Sequence, residues 1–330
     1  MYLNRYSANK QKPLKSIFEN IENEEVKNDT DISYCNTEEI ISIIFNNFNI
    51  QRFSYFVSVY DVVMGYKQFC LDNDLVDKMK FYSNYEQVSQ IKYSTDDLFK
   101  IFYNNISKIE TYSTPDELYR FLCNNIYFTD PIKENEYDKL HGNTISIMGM
   151  EICFLMLNFY GIANTESIML PRISVYILSN NKVKITTDKK DYIITGNTAK
   201  LIIKVFSANR IRILRGEKDF FKNLNAKYLL AFEDDNSEIL LKKRVTKYKV
   251  KYSADCVRSE HKVYPTYNDI TFNGAIYSMV EYTKNNKCSI NFNDRNEILN
   301  LYKKITGSNV QNYMMKYEII ARYKMMLNNK

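Results

Sequence analysis

The chain has 330 residues, 45% of them hydrophobic and 14% aromatic, which is enough to fill two cores, while eight glycines and five prolines are too few for a turn-dense sandwich or barrel. Forty-five basic against 39 acidic residues leave a net charge of +6, a global field too weak to hold nucleic acid, so any such contact must come from local clusters. Cys35, Cys70, Cys123, Cys153, Cys256 and Cys288 are scattered without a Cys-x-x-Cys pair, which points to a reducing cytoplasm rather than a disulfide scaffold or thiolate metal site. The start, Met1 to Lys27, lacks an apolar leader core, and no run of about 18 apolar residues occurs, so neither secretion nor membrane spanning is expected.

Residues 1–35 are polar, and only LKSIFENI hints at a period, so an N-terminal arm or a marginal helix is expected there. TEEIISIIFNNF then opens with an N-cap and acids in its first turn and places Ile40, Ile41, Ile44, Phe45 and Phe48 on one broad face. FSYFVSVYDVVMGYKQFCLDNDL is a second, longer amphipathic segment, and STDDLFKIFYNNI begins a third at Ser94 or Thr95, giving a small helical domain over 36–112. Thr114-Pro115-Asp116-Glu117 reads as a capping box that opens DELYRFLCNNIYF and with it a second domain, 113–330.

After the polar stretch KENEYDKLHGNT comes a buried helix over 149–160, broken at Gly161 and restarted at Asn164 with Glu166 following. Pro171 ends the helical reading. Ile173, Val175 and Ile177 then alternate up to the turn Ser179-Asn180-Asn181, predicting a hairpin over 173–185 with a third short strand at Tyr192, Ile193 and Ile194. Asn197 or Thr198 caps a helix read as TAKLIIKVFSANRIRIL; beyond about 215, helical runs alternate with one extended segment and end in NEILNLYKKITG and QNYMMKYEIIARYKMML.

The strongest charge feature is LLKKRVTKYKVKY, where Lys242, Lys243, Arg244, Lys247, Lys249 and Lys251 stand with no acid among them. Read as a strand, its second half puts Lys247, Lys249 and Lys251 on one face and Tyr248, Val250 and Tyr252 on the other. Cations about 6.8 Å apart on such a face can follow a phosphate backbone. The same pattern also suits an edge strand guarded by lysines. Arg210, Arg212 and Arg215 form a second basic cluster in SANRIRILRGEK, which favours the DNA reading. His141 and His261 lack a cysteine or carboxylate at ligand spacing, and there is no phosphate loop and no Gly-x-Ser-x-Gly elbow, so neither metal nor cofactor is expected.

The succession from Met150 to Ile185, together with FYGIANTESIML, TFNGAIYSMVEY and NLYKKITGSNVQNYMMKYEIIARY, resembles the phage integrases, the tyrosine recombinases. More narrowly, it is similar to a catalytically degenerate branch found in SPβ-like Bacillus phages. The resemblance implies a mainly α fold with a small antiparallel β-sheet: a helical core-binding domain followed by an α/β catalytic-like domain. In active members two arginines, a lysine and a histidine-like group surround one phosphate while a tyrosine attacks it. The first arginine position here holds Ala163, and the His-x-x-Arg box reads Asn268-Asp269-Ile270-Thr271, losing both functional positions at Asn268 and Thr271. Thr306-Gly307-Ser308 supplies no histidine; Lys182, Lys184, Lys189 and Lys190 are the turn lysines, and Tyr313, Tyr317 and Tyr323 lie where a nucleophile would, Tyr317 and Tyr323 as vestigial candidates.

The resemblance thus implies a sequence-specific duplex DNA binder without recombinase activity, a repressor of phage or prophage transcription in the bacterial cytoplasm that clamps DNA between its two domains. The partners implied are duplex DNA, a phage regulatory protein or peptide-controlled factor, and a second copy of the chain. An active or accessory recombinase, or a protein-interaction module on the same fold, are the alternatives.

Overall fold

The structure, a computed structural model, describes residues 3, 8–29, 31–48, 50, 52–83, 93–106, 114–133, 143–162, 164–188, 190–215, 218–258, 265–286 and 294–328. It is mainly helical with two small sheets. Contacts divide it into two compact units, Met1–Glu110 with Asn309–Ala321, and Thr111–Ser308 with Arg322–Lys330.

The first unit opens with α1 (Ala8–Asn28), a helix of 21 residues where the sequence suggested an arm or a marginal helix. Its weak period suffices because Leu14, Phe18 and Ile21 share one face: Leu14 and Ile21 are buried, and the Phe18 ring lies 5.3 Å from Tyr66. Helix α2 (Thr37–Asn47) is closed by a capping box in which Asn36 and Glu39 exchange bonds. Helices α3 (Phe53–Asp72), α4 (Lys78–Ser83) and α5 (Thr95–Ile106) follow. Phe53, Phe56, Tyr60 and Phe102 form the aromatic centre of this unit. Further along α3, Lys67 is buried with its ammonium 5.1 Å from the Phe81 ring centre; it donates to the Cys35 carbonyl, and burial pulls its pKa down to about 8.

The second unit begins at the Thr114–Glu117 capping box, with Pro115 opening α6 (Pro115–Phe121). That helix runs into a π-helical turn, Leu122–Ile126, where the Tyr127 amide donates to the Leu122 carbonyl. Strand β1 (Thr144–Ser146) leads into α7 (Ile147–Phe159), in which every residue from Gly149 to Phe159 is buried. The chain reverses at Gly161, φ +88°, a conformation glycine takes without penalty, and re-enters a helix at α8 (Asn164–Ile168). A short 3-10 turn, Arg172–Ser174, precedes β2 (Val175–Ser179), β3 (Lys182–Thr186) and β4 (Asp191–Thr195), an antiparallel sheet whose inner side carries Val183, Ile185, Tyr192 and Ile194.

Helix α9 (Gly196–Ser207) starts one or two residues before the expected cap. Thr195 stands at its N-cap without a side-chain bond, and the Asn197 amide donates instead to Asp116 at 3.4 Å. The helix also ends early: the expected continuation IRIL is strand β5 (Arg210–Arg215), because Ile211 must reach the core while Arg210 stays in water. Strand β5 pairs in parallel with β1 and antiparallel with β6 (Lys218–Asn223), so this second sheet is mixed rather than antiparallel.

Arg172 fastens this region. Its guanidinium donates to the carbonyls of Phe206, Ala208 and Asn225 at 2.6, 3.3 and 3.1 Å. Helices α10 (Glu238–Arg258), α11 (Tyr267–Asn285), α12 (Arg295–Thr306) and α13 (Tyr313–Asn328) complete the chain. Helix α11 crosses α7 so closely that a Cβ at Gly274 would lie 1.8 Å from the Phe159 carbonyl oxygen.

The sequence reading kept 113–330 in one domain, whereas Asn309–Ala321 belongs to the first unit. The reason is Tyr317: its ring lies 5.4 Å from Phe53 and 5.0 Å from Phe99, and its hydroxyl donates to Asp96 at 2.8 Å.

Candidate nucleic-acid interface

The six cations at 242–251 lie on α10, not on a strand. Leu241, Val245, Tyr248, Tyr252 and Cys256 are buried at helical spacing, whereas Val250, which a strand would bury beside the two tyrosines, is 63% exposed. The helix therefore distributes the lysines around its surface, and acids from outside the run meet several of them. Lys242 pairs with Glu238 one turn back at 2.6 Å, and Lys251 with Glu151 of α7 at 2.8 Å.

Arg244 is held hardest. Its Nε and a terminal nitrogen donate to the two Asp235 oxygens at 2.9 and 3.0 Å, and its guanidinium lies 3.7 Å from the Phe232 ring centre. The side chains of this pair are only 14% and 6% exposed, so Arg244 is part of the core's edge rather than a free cation. Lys249 lies with its ammonium 4.3 Å over the Tyr267 ring, and partial burial lowers its pKa. Lys243 and Lys247 are exposed and, among the described residues, enter no ion pair; one turn apart, they share a helix face.

Arg210 is exposed on β5 and Arg212 half-buried; the backbone of Arg215 belongs to the same strand, while its side chain lies outside the described residues. All of β6 is exposed, Lys218 and Lys222 included. Lys222 pairs with Asp234 at 3.1 Å, and Asn223 donates to Glu233 at 2.8 Å. The segment Glu233-Asp234-Asp235 thus lies in sequence between the two basic clusters and engages Arg244 of one and Lys222 on the strand paired with the other. The sequence reading overlooked it, although its position between the clusters and the i,i+4 spacing of Glu238 and Lys242 were visible signals.

Of the positions singled out by the integrase resemblance, Ala163 and Lys189 lie outside the described residues, as do His141 and His261. Asn268 and Thr271 stand in the first turns of α11, where the Thr271 hydroxyl donates to the Asn268 carbonyl at 2.9 Å. Tyr317 is bonded to Asp96 as described. Tyr323 is fully buried, its hydroxyl 2.8 Å from that of Thr283. Tyr313 belongs to α13, but its side chain is outside the described residues. Lys182 is exposed, Lys184 pairs with Asp191 at 2.7 Å, and Lys190 lies 4.7 Å over the Tyr192 ring.

Beneath α10, Glu151 is 2% exposed on the apolar α7. Burial pushes its carboxyl up from 4.5 to about 7, against the opposing pull of Lys251. Among the described residues no group of histidines, cysteines and carboxylates could hold a metal, and no helix is long and apolar enough to cross a membrane. No family model matches the chain, and no curated protein matches it.

Proposed function

We propose that the protein is a sequence-specific duplex DNA-binding protein of the integrase-like fold that performs no strand chemistry and acts as a transcriptional repressor in a phage or prophage. The observation that carries this reading is that, among the described residues, solvent-facing cations remain after internal pairing: Arg210 and Lys218 on the β5–β6 hairpin, Lys243 and Lys247 on α10. Cations that no acid has claimed are the ones that release counter-ions when phosphates replace water. The non-catalytic half of the reading draws support from Asn268 and Thr271, which cannot neutralise a phosphorane, and from the hydroxyls of Tyr317 and Tyr323, which are buried and bonded.

The test is a gel shift on fragments of the source genome with and without competitor DNA, followed across salt. Replacing Lys243 and Lys247 by alanine is expected to weaken binding and to flatten the logarithmic salt slope by about 2. An unchanged slope in the folded double variant would overturn the assignment of α10. Arg244 is unsuitable as a probe, because removing it strands Asp235 in the core.

A further inference from the structure

The ion pair between Glu151 and Lys251, 2.8 Å long, has two ends that differ in access to water: the carboxylate is 2% exposed on α7, and the lysine side chain is 37% exposed on α10. The acid is fixed in place by its helix, in which every residue from Gly149 to Phe159 is buried. The lysine has a flexible stem, and its head can swing outward while the methylenes stay on the surface. The pair therefore opens in one way, with the ammonium leaving and the carboxyl staying behind.

Lys251 also completes a row. It follows Lys243 and Lys247 at i,i+4 spacing along α10, and successive members stand about 6 Å apart along the axis. A duplex whose phosphates meet the exposed Lys243 and Lys247 offers a competing anion to the third lysine, one turn further on. Once Lys251 has gone over to a phosphate, an ionised Glu151 is a buried charge stripped of its cation, which is strongly unfavourable. Among the described residues no second cation acts on Glu151. Of the elements packed on α7, helices α6, α9 and α11 and strands β1 and β5 set no charged group against it; α10 adds Asp255, whose charge opposes ionisation, and the remaining titratable neighbours are the hydroxyls of Tyr127 and Tyr248.

We propose that duplex binding moves Lys251 from Glu151 to a phosphate and that Glu151 takes up a proton from solvent in exchange, so that DNA affinity is coupled to pH. This rests on the duplex DNA reading above. In the free protein the Glu151 carboxyl, raised by burial and pulled back by Lys251, titrates at about 7; loss of the lysine raises it further in the complex. Protons are therefore taken up on binding above neutral pH, and affinity falls as pH rises through that range. Well below neutrality Glu151 is protonated in both states and the dependence vanishes.

The experiment measures affinity for a footprinted site at constant salt between pH 6.5 and pH 8.5. Wild-type affinity is expected to fall about tenfold across this range, which corresponds to an average uptake of about half a proton. Glu151→Gln has no proton to exchange and leaves Lys251 free at every pH, so it is expected to hold its affinity and to bind more tightly than wild type at pH 8.5. Lys251→Met is expected to lose the pH dependence from the other end, binding more weakly than wild type at pH 6.5; thermal melting verifies that both variants fold. Calorimetry of wild type at pH 7.5 in two buffers of different ionisation enthalpy counts the protons without any variant. Parallel pH profiles in wild type and Glu151→Gln, or no net proton uptake by wild type, would overturn the inference while leaving DNA binding intact. Absence of binding at every pH overturns the DNA reading itself and the inference with it.

Discussion

Arg244 places two nitrogens on Asp235 at 2.9 and 3.0 Å, while Lys243, the residue before it, faces water with no ion pair among the described residues. Counting charges along the chain treats the two alike; only burial separates them. Glu151 shows the same limit from the other side, because a lone acid in the apolar run MEICFLMLNF gives no hint that Lys251, a hundred positions later, will meet it. With its pKa raised from 4.5 to about 7, Glu151 binds a proton in the folded chain over a range where the unfolded chain has released it. Stability contributed by this group is therefore lost as pH rises through that window, and its ionisation costs about 3 kcal/mol above it. Urea midpoints taken at pH 5.5 and pH 8 are expected to differ more for wild type than for Glu151→Gln. Parallel pH profiles in the two proteins would show that the carboxyl does not titrate in this range.

At the level of elements, most helices were legible because their apolar spacing admits one reading: α2, α3, α5 and α7 fall where TEEII, FSYFV, STDDL and MEICF place them. The Thr114 capping box and the hairpin after Pro171 were legible for the same local reason. The failures occur where two periods coexist. Lys247-Tyr248-Lys249-Val250-Lys251-Tyr252 alternates like a strand, yet Leu241 and Val245 extend Tyr248 and Tyr252 into a helical stripe that begins before the basic run. In the Arg210–Arg215 stretch the reverse happened, because a strand follows a helix after only two residues and inherited its assignment. Close packing between elements was not legible at all. Gly274 lies mid-helix, where glycine weakens a helix, and only its contact with the Phe159 carbonyl explains it. Gly274→Ala is expected to force α7 and α11 apart and to lower stability by roughly 1–3 kcal/mol or more, read as a drop in melting temperature. A melting temperature equal to or above that of wild type would mean the crossing has room to spare.

Across the whole molecule the first unit is discontinuous in sequence, closing on Asn309–Ala321. No sequence signal marks this, since Tyr317 is one of 28 tyrosines and its neighbours Ile319 and Ile320 would suit any core. A chain ending at Ser308 is expected to expose Phe53 and Phe99, where Tyr317 packs, and to bind a hydrophobic dye that the full chain does not. Equal dye binding and equal melting would show that the first unit is complete without the returning segment. Within the second unit, the bonds made by Arg172 bear on the β5–β6 hairpin in a different way. Ala208 and Asn225 flank the β5–β6 hairpin, Phe206 is in the last turn of α9, and Arg172 itself leads into β2. One guanidinium thus ties the segments on both flanks of the hairpin to the residue from which the small antiparallel sheet departs, so that the hairpin's base and that sheet share an anchor beside the β1–β5 pairing.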